Sequence, residues 1–229
     1  MPCHNTLIHM NTQRKITMVL AVFTMFCIAM EMTRMYYSFS LSYIFLIWNL
    51  ILAWMPYLLS IEFMKHDIQA KKILSFSIIG LWVLFLPNGP YIITDLIHLR
   101  NREPIPMWYD VLLVSTFAWH GLLLTLLSVR NMHHKLSHHF SPLKLSAGLL
   151  LLFLSSGYGL YLGRFLRWNS WDVFLRPFHL LHDSLIDLIH PFHHPRPILV
   201  TVIVCIILSF SYSIFYLINP KPHTDHEII

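Results

Sequence analysis

Arg164 and Arg167 stand three residues apart near the end of one apolar stretch, and Asp95, Asp110 and Asp172 lie at the borders of others. A guanidinium group can hold a carboxylate or phosphate through two parallel hydrogen bonds. Near lipid such groups are costly, about 2.5–3.5 kcal/mol each at mid-membrane on insertion scales, so they must snorkel, pair or bind an anion. One reading makes Arg164 and Arg167 the receivers of an anionic group, with Asp95, Asp110 and Asp172 orienting them or, in an enzyme, acting as a general base. The other is an ion-pair network that locks helices together and binds nothing.

A second source of chemistry is the run Leu86-Pro-Asn-Gly-Pro-Tyr-Ile-Ile-Thr-Asp-Leu-Ile-His-Leu99, where an apolar helical pattern meets two prolines and resumes with Asp95 and His98. From Ile73 to Leu86 a helix rises roughly 21 Å at 1.5 Å per residue, too little to cross a bilayer, so the segment beyond the break must lie partly at membrane depth. Pro90 suits the first turn of a new helix with Asn88 or Gly89 as its cap. The free amides of such a start would receive carboxylate or phosphate, as transporter half-helices do. Asp95 and His98, three apart, share a face. A capped proline kink without a ligand is the plainer alternative.

After Gly163-Arg-Phe-Leu-Arg-Trp-Asn-Ser-Trp-Asp172, Asn169 or Ser170 can cap a helix that Pro177 restarts. His179, His182, Asp183, Asp187 and His190 form a polar stripe at helical spacing opposite Phe178, Leu181, Leu185, Leu188 and Ile189, the pattern of an amphipathic helix at the membrane surface over about 171–190. His179, His182 and Asp183 are weak candidates for zinc, since no standard zinc motif surrounds them. His133, His134, His138 and His139 form a histidine-rich loop on the opposite side, and His193 and His194 sit among prolines. His120 and Asn49 are polar residues inside apolar spans, candidates for function or for hydrogen-bonded packing.

These residues are carried by an apolar chain. It has 229 residues, 56% apolar and 12% charged, with mean hydropathy +0.58, which defines a polytopic membrane protein without room for a large extramembrane domain. About six spans are expected, at 16–37, 39–61, 73–93, 108–129, 143–162 and 198–217. The first needs residues 32–37 to cross, which puts Glu31 and Arg34 near an interface. It lacks a convincing small-x-small cleavage site and is expected to stay attached. Ser155, Gly159 and Gly163 recur every fourth residue, a stripe against which another helix can pack, and Arg167 continues it. Cys3, Cys27 and Cys205 are too scattered for a disulfide framework or paired-cysteine metal motif. Lysine and arginine favour, modestly, a cytoplasmic side holding both termini and the 130–144 connection. The proline break, Trp108-Tyr-Asp110 and the 163–172 motif then share the extracytoplasmic face. The net charge of +5 belongs to these loops and does not imply nucleic acid. Phosphate-binding glycine loops, Gly-x-Ser-x-Gly elbows and His-Glu-x-x-His helices are absent, and no internal repeat is obvious.

Ala53-Trp-Met-Pro56, the Leu86–Leu99 run, Trp108-Tyr-Asp110, Phe117-Ala-Trp119 and the Gly163–Asp172 motif, in this order, resemble domain-of-unknown-function family 1361, a group of multi-pass bacterial membrane proteins. The resemblance covers most of the chain from span two to span six. Gly89 stands where the family commonly has alanine, and the histidine tracts are not part of its pattern. The resemblance implies a bacterial cytoplasmic membrane and no assigned activity. The expectation is therefore an all-α polytopic transmembrane bundle of about six spans, with a broken third span and an interfacial amphipathic helix after the fifth. Its candidate ligand-binding residues are Asn88, Gly89, Asp95, His98, Asp110, Arg164, Arg167, Asn169 and Asp172. The expected partners are membrane lipids and an anionic, phosphate- or carboxylate-bearing lipid or precursor, with no cofactor. A structural or assembly protein and a small transporter are the alternatives, and the sequence leaves open whether the protein is an enzyme.

Overall fold

The computed structural model describes residues 2–65, 67–68, 71–100, 103–189 and 195–218, with side chains described from residue 11 onward and not for 185–189. His190, His193 and His194, and the side chains of Cys3 and Asp187, lie outside the described set. The described residues form α1 (Pro2–Ser38), α2 (Phe45–Lys65), α3 (Lys72–Phe85), α4 (Asn88–Tyr91), a 3-10 helix (Ile92–His98), α5 (Met107–Leu136), α6 (Pro142–Phe165), α7 (Asp172–Leu175), α8 (Pro177–Ile189) and α9 (Pro195–Ile218). No strand occurs among them. Six helical stretches are long and apolar enough to cross a membrane: Asn11–Ser38, Phe45–Lys65, Lys72–His98, Met107–Leu136, Pro142–Phe165 and Pro195–Ile218. Each overlaps one of the six expected spans, most running a few residues longer. The surface helix expected over 171–190 is two helices, because the chain leaves helical geometry at Arg176 before Pro177 restarts it.

The chain divides into two compact units, Met1–Leu127 and Ser128–Ile229, with the division inside α5. In the first, Leu20 and Cys27 of α1, Leu46, Leu50, Ala53 and Tyr57 of α2, Ile92, and Leu113, Val114, Phe117 and Leu124 of α5 form one buried cluster. Hydrogen bonds run beside it: Gln13 Nε2 donates to the Tyr57 hydroxyl at 3.2 Å, Thr17 Oγ1 shares a 2.9 Å bond with that hydroxyl, and Trp54 Nε1 donates to Thr24 Oγ1 at 3.0 Å. Between lipid-facing helices apolar surface alone gives no preference for one partner, so such bonds help fix which faces meet.

The proline break is a tightened helix and not an opened one. Leu86 and Pro87 keep right-handed helical dihedrals, φ −56° and −59°. Pro90 has no N–H for the Leu86 carbonyl, which accepts from Gly89 N–H at 3.4 Å instead; the Pro87 carbonyl accepts from Tyr91 N–H at 3.0 Å. Asn88 does not cap a new helix: its Nδ2 donates back to the Phe85 carbonyl at 2.8 Å. The expected row of free amides is therefore not formed at Gly89 and Tyr91. Gly89 has a packing reason instead. A Cβ there would overlap Thr125 Oγ1 and lie 2.7 Å from the Gly121 carbonyl oxygen, and a Cβ on Gly121 would lie 2.7 Å from the Gly89 oxygen. The third span crosses α5 backbone to backbone at these two glycines.

In the second unit α6 packs along α9. The face α6 buries is Leu152, Phe153, Ser156, Gly157, Leu160 and Tyr161, and a Cβ on Gly157 would lie 2.6 Å from the Thr201 carbonyl oxygen. The small residue at this crossing is Gly157, not one of the Ser155, Gly159 and Gly163 stripe. Periodicity found a face of α6 but not the one that meets α9, since both carry small residues.

Candidate functional site

The most buried charges lie in the first unit. Arg34, one turn from the end of α1, donates from Nε to Asp110 Oδ1 at 2.6 Å and from Nη2 to Oδ2 at 3.1 Å, a bidentate pair with both side chains 1% exposed. Its guanidinium carbon lies 4.4 Å from the centroid of the Tyr43 ring, so the charge also rests on a π face. Glu31, one turn earlier on α1, is 0% exposed and interacts electrostatically with both Arg34 and Asp110. Tyr109, beside Asp110, donates its hydroxyl to the Met30 carbonyl at 2.8 Å and fixes α5 against this part of α1. Thus the guanidinium that holds Asp110 is Arg34, whereas the sequence reading offered Arg164 or Arg167. Arg34 and Glu31 look from sequence like charges at an interface, and the only available signal was that the first span is too short without them.

Asp95 is also buried, and its Oδ2 accepts from Asn49 Nδ2 at 2.9 Å. This gives Asn49 a packing role between α2 and the 3-10 helix. His98 is exposed and does not share the burial of Asp95. Its carbonyl accepts from the Tyr43 hydroxyl at 3.1 Å and its ring meets Phe45 edge-on at 5.5 Å. His120 is fully buried, with Nε2 2.8 Å from Thr24 Oγ1 and its ring against Phe23 at 4.6 Å. Asn88 and Gly89 belong to the helix crossing described above.

The second unit carries the other half of the predicted residues. α6 ends at Phe165; Arg167 then takes a left-handed conformation, φ 59°, and Trp168 N–H returns to the Leu162 carbonyl at 3.1 Å. This turn leaves Arg167 exposed and Arg164 half-buried. The next turn is locked by Asp172, whose Oδ2 accepts from Asn169 N–H at 2.7 Å and Nδ2 at 3.3 Å. Asp172 and Asn169 hold one another, so the expected cap runs from the carboxylate back to Asn169. α8 folds back on α6, with Trp168 Nε1 donating to Asp183 Oδ2 at 3.1 Å and the Tyr158 hydroxyl donating to the Ser184 carbonyl at 3.4 Å.

Beside that fold-back lies an open groove of about 510 Å³ lined by Trp168, Leu175, Arg176, Pro177, Phe178, His179 and Asp183. Arg176 and His179 bring N–H donors and Leu175 and Phe178 an apolar wall. Asp183 is spent on the Trp168 indole and lies 3.5 Å from His182 Nδ1. Arg164 and Arg167 are not among the lining residues; Arg176, which leaves helical geometry between α7 and α8, takes their expected place. Arg176 is not among the binding residues expected from sequence. Among the described residues no three histidine, cysteine or acidic side chains converge on a point that could hold a metal ion, so His179, His182 and Asp183 do not form the zinc set considered from spacing.

Six long apolar helices with paired ionic groups in their interior define a multi-pass α-helical membrane protein. Residues 48–210 match the family described as protein of unknown function (DUF1361), and the chain belongs to that family. The match begins after α1, so Glu31 and Arg34 lie outside it. No curated protein and no solved structure matches the chain.

Proposed function

We propose that this protein binds an anionic, phosphate- or carboxylate-bearing lipid or lipid-linked precursor at the extracytoplasmic face of a bacterial cytoplasmic membrane. The observation that carries this reading is the groove beside α8, whose lining brings Arg176 and His179 together with Leu175 and Phe178. A headgroup phosphate and the first methylenes of its chain need those two kinds of surface side by side. Leu175 and Phe178 are 71% and 82% exposed, on short helices that follow a membrane span, which suits contact with acyl chains. Arg167, exposed at the helix end, extends the basic surface.

The test is native mass spectrometry of protein purified in mild detergent and supplied with phosphatidylglycerol. The wild-type chain is expected to retain the lipid, and Arg176→Gln to weaken it roughly tenfold or more, the size of one lost charge-assisted hydrogen bond. Arg167→Gln reports whether the helix end contributes. Equal retention by Arg176→Gln would remove the groove from the proposal. A second reading, a helix-locking structural protein, is favoured by the Arg34–Asp110 and Asn49–Asp95 pairs, which tie helices without a ligand. It expects no retained lipid in either protein.

A further inference from the structure

With Glu31, Arg34 and Asp110 all ionised, the cluster at the end of α1 would carry one net negative charge. Arg34 is matched to Asp110 through two hydrogen bonds, a neutral pair. Glu31 adds a second carboxylate that is 0% exposed, and neither Oε1 nor Oε2 has a hydrogen-bond partner; Arg34 Nη1 is unpartnered as well. Buried polar groups are nearly always satisfied, and a buried carboxylate whose oxygens accept no hydrogen bond is costly unless a proton or a cation neutralises it. An intramembrane ionisable group of this kind is by default a site.

We infer that Glu31 binds a monovalent metal cation beside the Arg34–Asp110 pair. One positive charge brings the cluster of two carboxylates and one guanidinium to neutrality, and a divalent ion would overshoot it. The donors are hard oxygens, which suit an alkali cation: both oxygens of the Glu31 carboxylate. Arg34 Nη1 offers N–H groups to an acceptor in the same cluster. An ion that keeps a water can bridge Arg34 Nη1 and the Glu31 carboxylate. No residue of this cluster is among those lining the proposed lipid groove, and the inference does not rest on that reading.

The experiment is thermal unfolding of the detergent-purified protein as sodium or potassium chloride replaces choline chloride at constant ionic strength. Wild type is expected to gain a saturable rise of roughly 2–4 °C with one of the two ions. Glu31→Gln, which keeps the shape and removes the charge, is expected to lose that dependence and to melt without alkali ions at or above wild type. Wild type melting equally in choline, or Glu31→Gln responding like wild type, would overturn the assignment; so would calcium outperforming both alkali ions. Should the variant fail to fold, sodium-23 line broadening by wild type, reversed by potassium and not by choline, supports the site, and no broadening together with no potassium-dependent melting rejects it.

Discussion

Arg34 and Asp110 meet across 76 residues of sequence, and their pairing has an energetic consequence that neither residue has alone. Removing one partner leaves the other charged and buried, which costs about 3–5 kcal/mol, whereas replacing both with apolar groups of similar volume is often neutral. Arg34→Gln and Asp110→Asn are each expected to lower thermal stability in detergent by that order, and Arg34→Met with Asp110→Leu to lie closer to wild type than either. If the double variant is as unstable as the sum of the singles, the pair is not what couples the two positions. At this scale the sequence was half legible. Asp110 was marked because a carboxylate at the border of an apolar span needs a reason. Its partner was missed because burial of Arg34 depends on how α1 and α5 dock, which no local pattern encodes, and because the recognisable motifs begin after α1. Sequence makes Asn169 or Ser170 the cap of a helix; in the structure Asp172 accepts from Asn169 instead, a bond that a spacing of three residues permits.

At the scale of elements, among the described residues each unit shows a crossing where backbone meets backbone at glycine. Gly89 and Gly121 bring the third span onto α5, and Gly157 brings α6 onto α9. Gly89→Ala must push Thr125 and the Gly121 carbonyl aside, an overpacking cost of about 1–3 kcal/mol. Gly80→Ala, in α3 with nothing within 4 Å of the added carbon, is expected to be neutral or to stabilise by up to about 1 kcal/mol through helix propensity. Thermal unfolding of the two variants side by side checks this, and equal melting temperatures would mean that the crossing yields without cost. The number and approximate limits of the spans were legible, because about 20 apolar residues is a physical requirement of the bilayer. The behaviour of the break was not. Two prolines remove two amide donors, but Gly89 N–H serves the Leu86 carbonyl that Pro90 cannot and Asn88 Nδ2 serves that of Phe85, so helical dihedrals carry through Leu86 and Pro87 into α4.

For the molecule as a membrane protein, the side on which a ligand arrives is fixed by topology. α6 crosses once, so the histidine-rich connection before it and the Arg167–Arg176 segment after it must face opposite compartments. Lys135 and Lys144 flank the first, and arginines alone populate the second, so the positive-inside bias has to be read from a small difference. The placement of Arg176 sharpens it. A groove that presents Arg176 to the cytoplasm would meet abundant soluble phosphates, whereas one facing outward would meet chiefly lipid headgroups of its own leaflet. Single cysteines resolve the question: Ser170→Cys in the turn and His139→Cys in the connection, each in a background where Cys3, Cys27 and Cys205 are replaced by alanine. In intact cells a membrane-impermeant maleimide is expected to label Ser170→Cys and to reach His139→Cys only after permeabilisation. The reverse pattern would turn the protein over, put the groove in the inner leaflet, and make a cytoplasmic phosphate-bearing ligand the one to test.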